Sequence, residues 1–191
     1  MRRIAFISTI AVALAIAGCG GAASWKNIGP ENSRYSGRLG FTASLPVGWA
    51  AFEDAPARTL LLTRHSVPMD FIQVRRYPLS EPLPHTSLSI EAGMRAYEAA
   101  EVVVNNLRAA PGVFDLTVEE LMPDEIDGRP AFSLLLSYSL ENGMRRRCLI
   151  YGIVHGNRRY TEAGLYALSE HYFDATVGDF LAFVRSLKIR D

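Results

Sequence analysis

Residues 130–140 alternate. Phe132, Leu134, Leu136, Tyr138 and Leu140 fall on one side of an extended chain and Ser133, Ser137 and Ser139 on the other, with Leu135 breaking the polar side. A period of two predicts a strand with one buried face. The next run, Cys148 to Val154, is apolar on both sides, which predicts a strand inside a sheet and covered on both faces. Strands are predicted near 114–121, 130–140, 145–154 and 159–168. Their connections hold Asp127-Gly128, Asn142-Gly143 and Gly156-Asn157, pairs that accept the positive φ of tight hairpin turns. Four strands so joined form an antiparallel meander. Upstream, Phe41 to Trp49 predicts a short strand and a Pro-Val-Gly-Trp turn, followed by a second strand to Phe52. Thr59–Arg64 and Phe71–Tyr77 predict two more. Residues 78–87 hold three prolines and predict a loop, because proline removes a ladder donor.

The period lengthens to about 3.6 in two places. Over 89–110, Ile90, Met94, Tyr97, Val104 and Leu107 share one side, with Glu101 at its edge, Ser89 as the N-cap and Pro111-Gly112 as the stop. From His171 onward, Phe173, Val177, Phe180, Val184 and Leu187 recur every three or four residues, with Asp174 as a capping residue. Together these patterns predict one α+β domain over 41–191. It is expected to have a central antiparallel sheet with helices on both faces.

Composition changes the picture only at the N-terminus. The chain has 191 residues, 49% hydrophobic and 21% charged, which is ordinary for a globular domain. Met1-Arg2-Arg3 is a short basic segment, and Ile4 to Gly18 carries no charge. That run suits a signal peptide over 1–18 and is short of the roughly 20 residues that cross a bilayer as a helix. Ile16-Ala17-Gly18-Cys19 resembles a bacterial lipobox. That resemblance implies cleavage before Cys19 and acylation of its thiol by palmitate-type chains. Residues 19–40, rich in Gly, Ser, Asn and Pro, then read as the lipidated cysteine and a flexible tether, with Trp25 and Tyr35 resting on the membrane or on the domain. Gly20 after Cys19 is compatible with sorting to an outer membrane, facing the periplasm, in a Gram-negative cell. Removing residues 1–18 leaves 18 basic and 20 acidic side chains, a balance that does not favour nucleic acid. With Cys19 acylated, Cys148 has no partner and is expected to act as a small buried hydrophobe.

Three stretches carry a family resemblance: FTASLPVGW at 41–49, EIDGRPAFSLLLSY at 125–138 and HYFDATVGDFLAFVRSLKI at 171–189. They resemble the F-x-LP-x-GW strand and turn, the G-x-P hairpin and the closing helix of Mog1/PsbP-like domains, and the likeness spans nearly all of 41–190. It implies an α/β/α sandwich. Members of that family are mostly non-enzymatic. They include assistants of the oxygen-evolving complex, a binder of a small GTPase and envelope lipoproteins.

No residue pattern names a reaction. There is no G-x-S-x-G nucleophile elbow and no phosphate loop. His65, His85, His155 and His171 lie at no metal-binding spacing, and surface positions are expected for His65 and His155; no metal and no cofactor are expected. Arg75, Arg76, Arg145, Arg146 and Arg147 are candidate contacts for an anionic partner, if the fold brings them together. The expected function is a lipid-anchored envelope protein that is not an enzyme and binds or helps assemble another envelope protein. A carrier of a small ligand or cation and an enzyme with a dispersed site are the alternatives. An exposed apolar or basic face would favour the binding module, a deep apolar cavity the carrier, and a pocket of perturbed titratable groups the enzyme.

Overall fold

The computed structural model describes residues 24–155 and 158–190. Eleven strands and two helices follow in order: β1 Lys26–Asn27, β2 Arg34–Tyr35, β3 Phe41–Ser44, β4 Ala50–Asp54, β5 Thr59–Thr63, β6 Asp70–Pro78, α1 Ala96–Arg108, β7 Phe114–Ile126, β8 Arg129–Ser139, β9 Arg145–His155, β10 Arg159–Leu168, α2 Tyr172–Arg185 and β11 Lys188–Ile189. Eight strands form one sheet in the order β1-β4-β5-β6-β10-β9-β8-β7, and β11-β3-β2 form a second, small sheet. Every pairing is antiparallel. Helix α1 lies on one face of the large sheet, over β7, β8 and β9. Helix α2 lies on the other, over β10, β6 and β9, beside the small sheet. The predicted fold class is the one observed, and β9 is the strand covered on both faces.

The alternation in β8 sets the register. Phe132, Leu134, Leu136 and Tyr138 face α1 with Cys148, Ile150, Tyr160 and Tyr166, and Leu83, Ile90, Ala99, Ala100 and Val103 close that core. On the other face Leu60, Leu62, Ile72, Val74, Ile153 and Leu165 meet Phe173, Phe180, Phe183 and Val184 of α2 and Phe41 and Trp49 of the entering strands. Trp49 is fully buried, and its indole N–H donates to Asp179 of α2 at 2.9 Å. The predicted Asp127-Gly128 hairpin has positive φ at both residues, 53° and 70°, as its turn type requires. Asn142-Gly143 instead sits in a longer loop in which Gly143 alone has positive φ, and Gly156-Asn157 lie outside the described residues.

Four expectations are corrected. Helix α1 begins at Ala96, not after Ser89. Glu91 accepts from Ser89 at 2.6 Å and from Ser80, tying a loop, and Gly93 at φ 85° cannot continue a helix. The cap is Arg95, whose backbone N–H is accepted by Glu98 at 2.8 Å. The later start moves the buried side onto Ala99, Ala100 and Val103, small residues that let the helix approach the sheet, and turns Tyr97 outward. Likewise Asp174 lies inside the first turn of α2, after a cap at His171.

The third correction concerns residues 24–40, expected as tether, which belong to the fold. β1 pairs with β4, β2 pairs with β3, and Ile28, Tyr35 and Leu39 are buried. Two-residue strands carry no readable period, and here Gly and Pro build turns of an edge rather than a linker. The fourth is His155, which is buried and hydrogen-bonded through Nε2 to Thr161 Oγ1 at 2.8 Å. It ends a strand whose alternate residues point into the α2 core.

Asp127 also closes the structure. Its carboxylate accepts from Lys188 Nζ and from the Ile189 backbone N–H, each at 2.9 Å, pinning β11 beside β3.

Candidate interaction surface

The large sheet has two edges, and they differ. β1 is two residues long and covers little. β7 runs for thirteen residues and, among the described residues, pairs only with β8 and has no strand on its other side. A long open edge presents unpaired N–H and C=O groups that template an incoming strand. Its side chains add to this. Phe114 and Met122 are each 50% exposed and Val118 is 37% exposed. Register shifts between Phe114 and Thr117 and between Val118 and Glu120 bulge the strand, and Asp115 takes a positive φ of 49°. The bulges re-aim side chains, so apolar groups project on both sides of the edge.

Tyr97, turned outward by the late start of α1, is 45% exposed and stands next to this edge. It joins Leu121, Met122, Pro123, Phe132 and Ala96 around a groove of about 370 Å³ between helix and strand. Arg95 holds the tyrosine from the rim, its guanidinium 4.6 Å from the ring centroid and paired with Glu98 at 2.7 Å. The result is an apolar slot beside an open strand, the arrangement that accepts an extended segment with one anchoring side chain.

The five arginines do not converge. Arg76 is buried and donates to the Leu39 carbonyl at 2.7 Å, locking residues 34–40 onto the sheet. Arg146 is buried, donates to the Pro68 carbonyl at 2.6 Å and lies 5.3 Å from the Phe71 ring centroid. Arg75 donates to Thr59 at 3.2 Å and Tyr77 at 3.3 Å. Arg145 donates to Ser137 at 2.9 Å, and Arg147 pairs with Glu119 at 2.8 Å over the Phe173 ring. Alternation sends Arg75 and Arg146 to the α1 side and the other three to the α2 side. β10 also separates Arg75 and Arg76 of β6 from the three arginines of β9.

Cys148 is fully buried, and burial pushes its thiol far above the ordinary range, which removes the thiolate a nucleophile needs. His65 bonds through Nδ1 to Asp70, a buried carboxylate that also accepts from Thr63 Oγ1 at 3.1 Å and Arg64 N at 2.9 Å. Among the described residues no three His, Cys, Asp or Glu side chains gather as a metal site, and no helix is long and apolar enough to cross a membrane.

The sequence reading missed one acid. Glu162 faces the α1 side of β10, opposite Arg75 of β6 and Gly152 of β9. Tyr160 donates to it at 3.0 Å and Tyr166 at 3.5 Å, and Tyr77 stacks on Tyr160 at 6.0 Å between centroids. Burial raises the Glu162 carboxyl above the usual carboxylate range, against the tyrosine hydrogen bonds and the Arg75 charge. A raised folded value means that the neutral acid is favoured by folding. Its contribution is therefore complete below the unfolded value near 4.3 and is lost as pH rises through the folded one. Glu162→Gln keeps an acceptor and removes the titration. Its urea midpoint should exceed that of the wild type at pH 8 and match it at pH 4. An equal shift at both pH values would show that folding does not raise the Glu162 carboxyl.

The sequence matches no established protein family and no curated protein. Solved structures do match. LpqN, described as involved in cell envelope biogenesis of Mycobacterium tuberculosis, superposes with a TM-score of 0.57 at 14% identity, covering 91% of this chain and 88% of that one. Cyanobacterial PsbP from Synechocystis gives 0.53 at 16% identity, covering 91% and 98%. The protein Mog1 gives 0.52 at 11% identity, covering 80% and 92%. The chain therefore has the Mog1/PsbP-like fold. At such identities the likeness is one of fold and carries no site residue across.

Proposed function

We propose that this chain is a lipid-anchored protein of the cell envelope and that its domain is a non-catalytic module that binds another envelope protein along β7. The observation that carries the reading is the long open edge of β7 with Val118 and Met122 exposed beside the Tyr97 groove. The partner supplies an extended strand, with backbone hydrogen bonds giving affinity and one apolar side chain seated in the groove. Cys19 at the end of an apolar leader supports the anchor, and the involvement of LpqN in cell envelope biogenesis fits the setting. Several acyl chains on one N-terminal cysteine hold a protein firmly where a single chain is marginal. In a Gram-negative cell the place would be the outer membrane, facing the periplasm.

Two experiments test the two halves. Cys19→Ala should take up no labelled palmitate while its domain stays folded; uptake by the variant rejects the anchor. Crosslinking in intact cells, read by mass spectrometry, should capture one discrete envelope protein with the wild type. Val118→Asp with Met122→Asp places charges at exposed positions, should change stability by about 0.5 kcal/mol per substitution and should abolish that capture. Capture of the same protein by the double variant would reject β7 as the docking edge.

A further inference from the structure

We infer that the sheet face carrying Trp25, Phe52 and Leu61 rests on the lipid bilayer. The inference depends on the anchor at Cys19 proposed above. Trp25 stands one residue before β1, and the β1–β4 register sets it opposite Phe52, with ring centroids 5.5 Å apart. Phe52 pairs in turn with Leu61. Three apolar side chains thus form a row across β1, β4 and β5, on the α1 side of the sheet. Helix α1 lies over β7, β8 and β9, and among the described residues no helix packs over this end of the face. Trp25 is 45% exposed, and Phe52 and Leu61 are half-buried. On the reverse side of the same strands, Leu60 and Leu62 belong to the α2 core.

The length of chain before Trp25 selects the occupant. Cys19 precedes Trp25 by six residues, which fully extended reach at most about 20 Å. The sheet has eight strands, with β1 at one edge and β7 at the other, a width of roughly 34 Å at about 4.8 Å per step. An acylated Cys19 therefore keeps the β1 end at the membrane and cannot let the β7 end take its place. The exposed aromatic at that end is a tryptophan, the side chain best suited to the interface, with an apolar body and one N–H. Asp54, Thr63, Gln73 and Arg75 share this face and surround the apolar row, so the contact reaches the boundary between headgroups and acyl chains and goes no deeper. The same geometry holds β7 outward, away from the lipid.

The test uses the lipidated chain in vesicles of phosphatidylethanolamine and phosphatidylglycerol, some with brominated acyl chains. The protein has two tryptophans, and Trp49 is buried with its N–H bonded to Asp179. Brominated vesicles should quench part of the wild-type emission and none of that from Trp25→Phe, while both proteins float with the vesicles. If the wild type floats without being quenched, the bilayer contact is overturned and the anchor stands. If the wild type does not float, the anchor fails and this inference falls with it. If Trp25 becomes shielded from aqueous acrylamide as protein concentration rises without vesicles, a second copy covers the face and the lipid assignment is overturned.

Discussion

Phe180→Ala should lower the unfolding free energy by about 3–5 kcal/mol, the usual cost of deleting a buried aromatic side chain. Phe180 is fully buried in α2, and its ring centroid lies 6.0 Å from that of Tyr151 on β9. It belongs to the core in which α2 meets β5, β6 and β10. Truncation removes the transfer free energy of the ring and leaves a cavity, because a helix held by Phe173, Phe183 and Val184 cannot sink into the space. Urea denaturation should show a lower midpoint with an unchanged slope. The comparison is Val47→Ala, at an exposed turn position, which should stay within about 0.5 kcal/mol. A loss below about 1 kcal/mol at Phe180 would mean that α2 repacks, and the rigid account of this core would be wrong.

The second large effect is a sign reversal between two glycines. A Cβ on Gly152 would collide with the Phe132 ring and lie 2.8 Å from the Tyr160 hydroxyl, and both side chains are fully buried. Gly152 sits in β9 with partners on both sides, so the backbone cannot retreat. Gly152→Ala should cost about 1–3 kcal/mol through overpacking. A Cβ on Gly178, inside α2, meets nothing. Gly178→Ala should therefore gain about 0.5–1 kcal/mol from the backbone freedom that glycine loses in a helix. Both values can be read from the same urea titrations. A neutral or stabilising Gly152→Ala would show that the aromatic layer over β9 is loose.

The strands of the meander were legible because a period of two with one buried face leaves few alternatives, as Phe132 to Tyr138 show. The later helix was legible because Phe173, Val177, Phe180 and Val184 hold their spacing across the whole element. The start of helix α1 was placed six residues early. Ile90 and Met94 fit its phase, and only the backbone at Gly93 and the Ser80–Glu91–Ser89 ties show that they belong to the preceding loop. β1, β2 and β11 are too short to carry any period. The docking edge was hidden for another reason. Val118 reads as an ordinary strand residue and Met122 falls just past the strand predicted near 114–121, and their exposure follows from β7 being last in the sheet order, which is a property of topology. The arginines failed to converge for the same reason, since β10 inserts between β6 and β9.

β11 imposes an order of events on the making of this domain. Residues 188–189 pair with residues 41–42, and the Arg190 backbone N–H donates to the Gly40 carbonyl at 2.9 Å. A contact so distant along the chain pays its loop-closure entropy in full before it gains anything. As the polypeptide emerges from its N-terminal side, β3 waits with one ladder empty until almost everything else has arrived. Until residues 188–189 are free to pair, the growing domain would thus be an incomplete sheet. Any factor that guards the nascent chain must shield the apolar residues around Phe41 for that whole interval.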